Sequence, residues 1–171
     1  MESIYYVLSW ACHRRCKHCY EDKFRPYVRD ELKAVVGAAQ ENFPRIIANL
    51  PERLTYLDQP DDNAPGGYVE RNSRIIVSGG EVLIDPVRET ILYPALEMIR
   101  DKYKAQGGVR LVVQTTGDLL TEKIIDELLE RGIYMISVAG MDDFHVGMEG
   151  EKRVPLQERL TQWFKAAGMR D

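Results

Sequence analysis

Two rhythms of apolar residues alternate along this chain. Short runs of aromatic and β-branched residues are each followed by a longer stretch in which apolar positions recur every three or four residues, the signatures of a strand and then an amphipathic helix. Ser3 to Trp10 (SIYYVLSW) reads as a first strand. A helix is expected to open at Asp30, whose carboxylate would cap the free amides of ELKAVVGAAQENF, to be interrupted near Pro44, and to resume briefly to about Asn49. Arg74 to Ser78 (RIIVS) is a second strand, broken at once by Gly79 and Gly80. Asp85 and Pro86 read as an N-cap with proline at the first helical position, and Pro94 should kink or split the helix that continues as VRETILYPALEMIRDKY. Gly107 and Gly108 end it, and VRLVVQTT supplies a third strand. Thr121 is expected to cap a helix with Ile124, Ile125, Leu128 and Leu129 on one face, closed by Gly132. IYMISVA is a fourth strand, and a last helix from about Pro155 carries Leu156, Leu160, Trp163 and Phe164 as a core-facing stripe up to Gly168.

Four β-α units in succession predict an α/β fold with parallel strands joined by crossovers, and function at the carboxyl ends of the strands. The interval 51–72 is dense in Pro, Gly, Asp and Asn and has no sustained period, so it reads as a long loop insertion, a lid or a mobile segment. With 171 residues, one domain spanning 1–171 is the working expectation.

The unusual residues all follow strands. The cysteines follow the first, Gly79-Gly80-Glu81 the second, Thr115-Thr116-Gly117 the third, and Gly140, Asp142, Asp143 and His145 the fourth. Acidic and basic residues are mixed along the chain, with a formal charge of −4, which leaves no electrostatic footprint for non-specific nucleic-acid binding. The opening MESIYYVLSWAC has neither a basic leader nor an apolar run approaching the ~20 residues of a membrane span. No membrane association and a cytoplasmic location are therefore expected.

That location bears on the three cysteines, Cys12, Cys16 and Cys19, which are spaced C-x3-C-x2-C. A reducing compartment disfavours disulfides, and three thiols cannot all pair among themselves. Thiolates are soft ligands for iron-sulfur clusters or zinc. On a four-iron cubane, three of them would leave one iron with an open coordination position, suited to binding a small molecule. A structural zinc site completed by His13 or His18 is the alternative reading, that of an interaction module. A ferredoxin-type electron carrier would want a fourth cysteine, and the chain has three.

WACHRRCKHCYED, residues 10–22, resembles the signature of the radical S-adenosylmethionine (SAM) superfamily, with His18 where that family usually has an aromatic ring before the third cysteine. Gly79-Gly80-Glu81 resembles its second landmark, the GGE turn after the second strand. The resemblance implies a partial (β/α) barrel of the radical SAM type, in which Cys12, Cys16 and Cys19 hold a [4Fe-4S] cluster whose fourth iron is chelated by SAM. It further implies that Gly79, Gly80 and Glu81 receive the ammonium of SAM, with His18 and Ser137 along its flank. An external one-electron donor of flavodoxin or ferredoxin type would reduce the cluster, SAM would part into methionine and a 5'-deoxyadenosyl radical, and the radical would take hydrogen from an unidentified substrate. Peptide modification or cofactor maturation is the favoured direction.

The chain departs from the family pattern in places. Thr116 stands in the middle of the turn after strand three where asparagine is frequent, and Ala139 replaces an acidic residue after strand four. Only four β-α units are expected where the family usually has six strands, so the core domain is expected to be truncated. Arg14, Arg15 and Lys17 either steady the negative cluster or face water. Asp142, Asp143 and His145 read as ordinary solvated loop residues. Glu81 taken alone is an acidic residue near a helix start, favoured by the helix dipole.

Overall fold

A computed structural model describes residues 1–139 and 143–169. Its order is β1 (Ser3–Ser9), α1 (Arg29–Ala48), β2 (Thr55–Pro60), β3 (Tyr68–Asn72), β4 (Arg74–Gly79), α2 (Asp85–Val87), α3 (Tyr93–Tyr103), β5 (Arg110–Thr115), α4 (Glu122–Glu130), β6 (Ile133–Val138) and α5 (Val154–Ala166). The expected α/β architecture is present. Strands β1, β4, β5 and β6 form one parallel sheet in that order.

Strand alternation divides the sheet into two faces. Tyr6 and Leu8, Ile75 and Val77, and Leu111 and Val113 join one apolar core with Val36, Phe43 and Ile47 of α1, Leu96, Ile99 and Tyr103 of α3, Ile124, Ile125 and Leu128 of α4, and Leu156 and Leu160 of α5. The residues between them, Tyr5, Ile76, Val112 and Met135, lie in register across the four strands on the opposite face, outside that core. Helices thus pack on one side. Parallel sheets are usually covered on both.

Several local expectations hold. Thr121 is the N-cap of α4, its hydroxyl accepting from the Ile124 amide at 3.2 Å. Trp163 and Phe164 pack against the core. Others change. Helix α1 runs unbroken through Pro44 because Phe43 and Ile47, on either side of it, are buried, and this packing outweighs one lost backbone bond. Asp30 is inside the first turn of α1 rather than capping it, and Val28 is the N-cap. Likewise Ile84, not Asp85, is the N-cap of α2. The interruption expected near Pro94 takes the form of a π-helical turn, Arg88–Leu92, directly before α3, with the Tyr93 amide reaching back five residues to the Arg88 carbonyl. The widened turn accommodates the missing proline donor.

The largest correction concerns 51–72. This segment contains an antiparallel ribbon, β2 with β3, not a structureless loop. Its stability is polar, which is why apolar alternation did not reveal it: Arg53 and Thr55 both donate to Glu70, at 2.6 Å each, and Arg71 pairs with Asp58. The Gln106 amide clamps the ribbon's base, accepting from the Leu54 amide at 3.0 Å and donating to its carbonyl at 3.1 Å. Strand β3 leads straight into the amino end of β4, so the ribbon stands at the opposite end of the sheet from the cysteines. A lid over the cysteines is excluded by that position. No helix among the described residues is long and apolar enough to cross a membrane.

Candidate functional site

The carboxyl ends of the parallel strands converge on one cavity of about 230 Å³, lined by Cys12, Cys16 and Cys19 together with His18, Gly79, Gly80, Gln114, Thr116 and His145, among others. The three thiols are free and half-buried. Among the described residues, no three or more His, Cys, Asp or Glu side chains already stand together as a metal-binding group. The cysteines therefore share a cavity without being drawn to one point.

Their loop leaves β1 through Ala11, which is 1% exposed. It is closed at its base by the Cys12 amide donating to the Arg25 carbonyl at 3.1 Å and by a bridge between Ala11 and Arg25. Phe24 is buried against Trp10, with Tyr20 edge-on to it at 5.1 Å between ring centroids. Between these anchors Cys12 to Cys19 has neither helix nor strand, apart from a turn in which the Cys19 amide donates to the Cys16 carbonyl. A fixed base and a pliant rim let thiols adjust around a metal group. The chemistry of the donor set, three partly exposed thiols in one cavity, fits an iron-sulfur cluster held by three cysteines.

The two glycines are first of all a packing requirement. A Cβ on Gly79 would lie 2.5 Å from the Ser9 carbonyl oxygen, and one on Gly80 2.1 Å from that of Ala11. Gly79 also has φ +145°. Both are required because the end of β4 runs against the chain entering the cysteine loop, where the Gly80 amide donates to Ser9 at 3.0 Å and the Glu81 amide to Ala11 at 2.9 Å. They fasten the loop's root and also line the cavity.

Glu81 departs further from its expected place. It is 1% exposed and is not among the residues lining the cavity. Its Oε1 accepts from the Leu83 amide at 3.0 Å and the Thr115 hydroxyl at 2.7 Å; its Oε2 accepts from the Thr116 amide at 2.8 Å and the Thr116 hydroxyl at 2.7 Å. Four donors occupy the carboxylate, so its visible work is to hold the turn after β5. Ser137 is half-buried and does not line the cavity; its register partner Gln114 does.

Asp118 is the residue that sequence reasoning missed. Its Oδ2 accepts from His13 Nε2 at 2.8 Å and from Arg14 Nη2 at 2.6 Å, and its Oδ1 stands within bonding reach of the Thr116 hydroxyl as a second acceptor beside Glu81. Burial pushes its carboxyl up, yet the hydrogen bonds from His13, Thr116 and Arg14 outweigh that and hold it well below the usual carboxylate range. In turn the bond to Asp118, helped by the neighbouring Cys12 side chain, lifts His13 to about 9. The only advance signal was an acid two residues beyond Thr116.

His18 is exposed at the cavity mouth, its ring edge-on to His145 at 4.5 Å and its Nδ1 3.2 Å from the Phe144 carbonyl oxygen. His145 thereby joins the site, contrary to its reading as a solvated loop residue. Asp143 accepts from the Gly150 amide and from Arg153, a structural task. Gly140 and Asp142 lie outside the described residues. Arg14 lines the cavity, whereas Arg15 and Lys17 are exposed on the outer side of the loop.

The chain matches no model of a known protein family and no curated protein.

Proposed function

We propose that this protein is a radical SAM enzyme, or the cluster-binding portion of one, with Cys12, Cys16 and Cys19 holding a [4Fe-4S] cluster. The observation that carries the reading is that all three thiols, spaced C-x3-C-x2-C, open into one cavity beside Gly79 and Gly80 at the carboxyl ends of β1 and β4. The one-sided packing of helices on the sheet supports the finer fold reading, the wall of a partial (β/α) barrel whose other face looks toward substrate.

The chemistry supplied by the bound group is one-electron reductive cleavage of SAM, yielding methionine and a 5'-deoxyadenosyl radical that takes hydrogen from the substrate. The protein's residues bind, orient and shield. Gly79 and Gly80 set the distance between the cysteine loop and β4. The Thr115–Thr116 turn, held by Glu81, offers polar groups to the amino acid portion of SAM, with Glu81 as the nearby anion for its ammonium. His18 and His145 form an imidazole wall at the mouth, against which a nucleoside base can stack. Gln114 replaces Ser137 as the flank residue on β5 and β6. Exposed Arg15 and Lys17, with Glu21 and Asp22 beside them, are the charges on the outer side of the loop that an electron donor of flavodoxin or ferredoxin type in the cytoplasm would meet. The substrate class stays with the earlier expectation of a peptide or a maturing cofactor.

A zinc-bound interaction module is the competing reading. His13 is tied to Asp118 and does not line the cavity, which leaves His18, or His145 beside it, as the fourth ligand. Oxygen-free reconstitution followed by metal and sulfide analysis separates the two. About four irons and four sulfides per chain, with methionine and 5'-deoxyadenosine released on reduction with SAM, support the enzyme. One tightly held zinc and no SAM cleavage would overturn it.

A further inference from the structure

Three loops that leave three different strands are joined here by two carboxylates, Glu81 buried and Asp118 half-buried. Glu81, after β4, holds Thr115 and Thr116 after β5; Asp118 holds Thr116 on one side and the cysteine loop, through His13 and Arg14, on the other. The Arg14 amide in turn donates to the Cys12 sulfur at 3.4 Å. A single side chain, Thr116, is shared by both carboxylates.

That sharing cannot be complete. A threonine hydroxyl has one proton to give, yet Thr116 Oγ1 is 2.7 Å from Glu81 Oε2 and also within bonding distance of Asp118 Oδ1. When the hydroxyl's hydrogen bond goes to Asp118, Glu81 Oε2 keeps only the Thr116 amide and regains an acceptor position. Buried anions with an unfilled acceptor favour a new donor, and a cationic donor most of all. Thr116 lines the cavity, so the vacancy arises next to it.

We propose that Asp118 is a positioning residue with two tasks: it ties the cysteine loop to the turn after β5, and it accepts the hydrogen bond of the Thr116 hydroxyl when Glu81 accepts the ammonium of a bound ligand. Its second task rests on the radical SAM reading; its first does not. Asp118 thereby couples the thiol side of the cavity to the ammonium side. A residue in this position also explains why Glu81, fully satisfied in the ligand-free arrangement, can serve a cation without being left overcrowded.

The test uses the full chain as Asp118→Asn, Asp118→Ala, Thr116→Val and Thr116→Ser. In metal-free protein, hydrogen exchange at the amides of residues 12–19 reads the first task. Asp118→Ala should speed exchange there about tenfold while the sheet amides keep their rates; Asp118→Asn covers the case in which the alanine variant fails to fold. Unchanged loop exchange in both would overturn the tie. In reconstituted protein, SAM affinity reads the second task. Asp118→Asn should weaken SAM about tenfold and Thr116→Ser should keep wild-type affinity, while Thr116→Val, which leaves Glu81 Oε2 open with no hydroxyl to redirect, should bind SAM at least as tightly as wild type and cancel the effect of Asp118→Asn when the two are combined. For an analogue lacking the α-amino group, the gap between Asp118→Asn and wild type should vanish. A gap that persists with this analogue, or equal SAM affinity in Asp118→Asn and wild type, would overturn the hydrogen-bond switch. If wild type takes up zinc and ignores SAM, the radical SAM reading and the switch built on it both fail, while the exchange result still decides the tie.

Discussion

The helix-side face of the sheet and the rim at its carboxyl end are stabilised by opposite means. On the face, Leu8, Val77, Val113 and Ile125 need only be apolar and of suitable volume, and almost any neighbour of the same kind would serve. On the rim, Glu81 and Asp118 are placed by individual hydrogen bonds whose partners come from three loops. The first arrangement is tolerant and gives stability. The second is unforgiving, and it is where a ligand-binding geometry can be held.

Substitutions should sort by region. The largest expected effect is on the rim and leaves the fold alone: Cys12→Ala, Cys16→Ala or Cys19→Ala should reduce iron after reconstitution to near background. Because these thiols are half-buried and free, thermal unfolding of the metal-free protein should be almost unchanged. Retention of a full complement of iron by any one of them would break the contrast. Ile125→Ala should do the reverse, destabilising the fold by about 2–5 kcal/mol in denaturant titration while leaving iron uptake per folded chain at the wild-type level.

Glu81 sharpens the comparison because it is a rim residue buried like the core. Glu81→Ala strands the Thr115 hydroxyl and two amides, the Thr116 hydroxyl keeping Asp118, and should cost about 3 kcal/mol, so loss of SAM binding in that variant alone cannot separate folding from recognition. Glu81→Gln keeps one acceptor oxygen and sets its NH2 against a backbone amide on the other side, so it should lower the denaturant midpoint by less than Glu81→Ala and bind SAM more weakly per folded chain. Gly80→Ala places a methyl against the Ala11 carbonyl and should cost about 1–3 kcal/mol, with faster exchange at the amides of residues 11 and 12.

The smallest effect is a proton. In metal-free protein, the His13 ring followed by NMR should titrate near 9, and Asp118→Asn should bring it back toward 6.5. His13 has a raised folded-state value, so the contribution of the His13–Asp118 pair to stability is complete below about 6.5 and is lost as pH rises through about 9. A wild-type midpoint near 6.5 would mean that the pair does not form.

What could be read from the sequence follows the same division. Strands and helices on the tolerant face announce themselves through periodicity, and the Thr121 cap and the clustering of cysteines with the Gly79–Glu81 turn at one rim were legible because each depends on adjacent residues. The β2–β3 ribbon was not, since polar cross-strand pairs such as Arg53 with Glu70 leave no apolar alternation. The roles of Gly79 and Gly80 depend on the nearness of Ser9 and Ala11, some seventy residues away in the chain, and Asp118 lies 105 residues from His13. Spacing within one segment cannot carry such contacts. Glu81 was found for its charge and misjudged for its surroundings.

The proposed function requires a cluster that three cysteines would leave with one open iron. Its most direct test is the paramagnetic resonance spectrum of the anaerobically reconstituted, reduced protein before and after SAM is added. A reduced four-iron signal whose g-values shift on adding SAM is the expected result. A spectrum indifferent to SAM, recorded on folded protein with a full complement of iron, would contradict it.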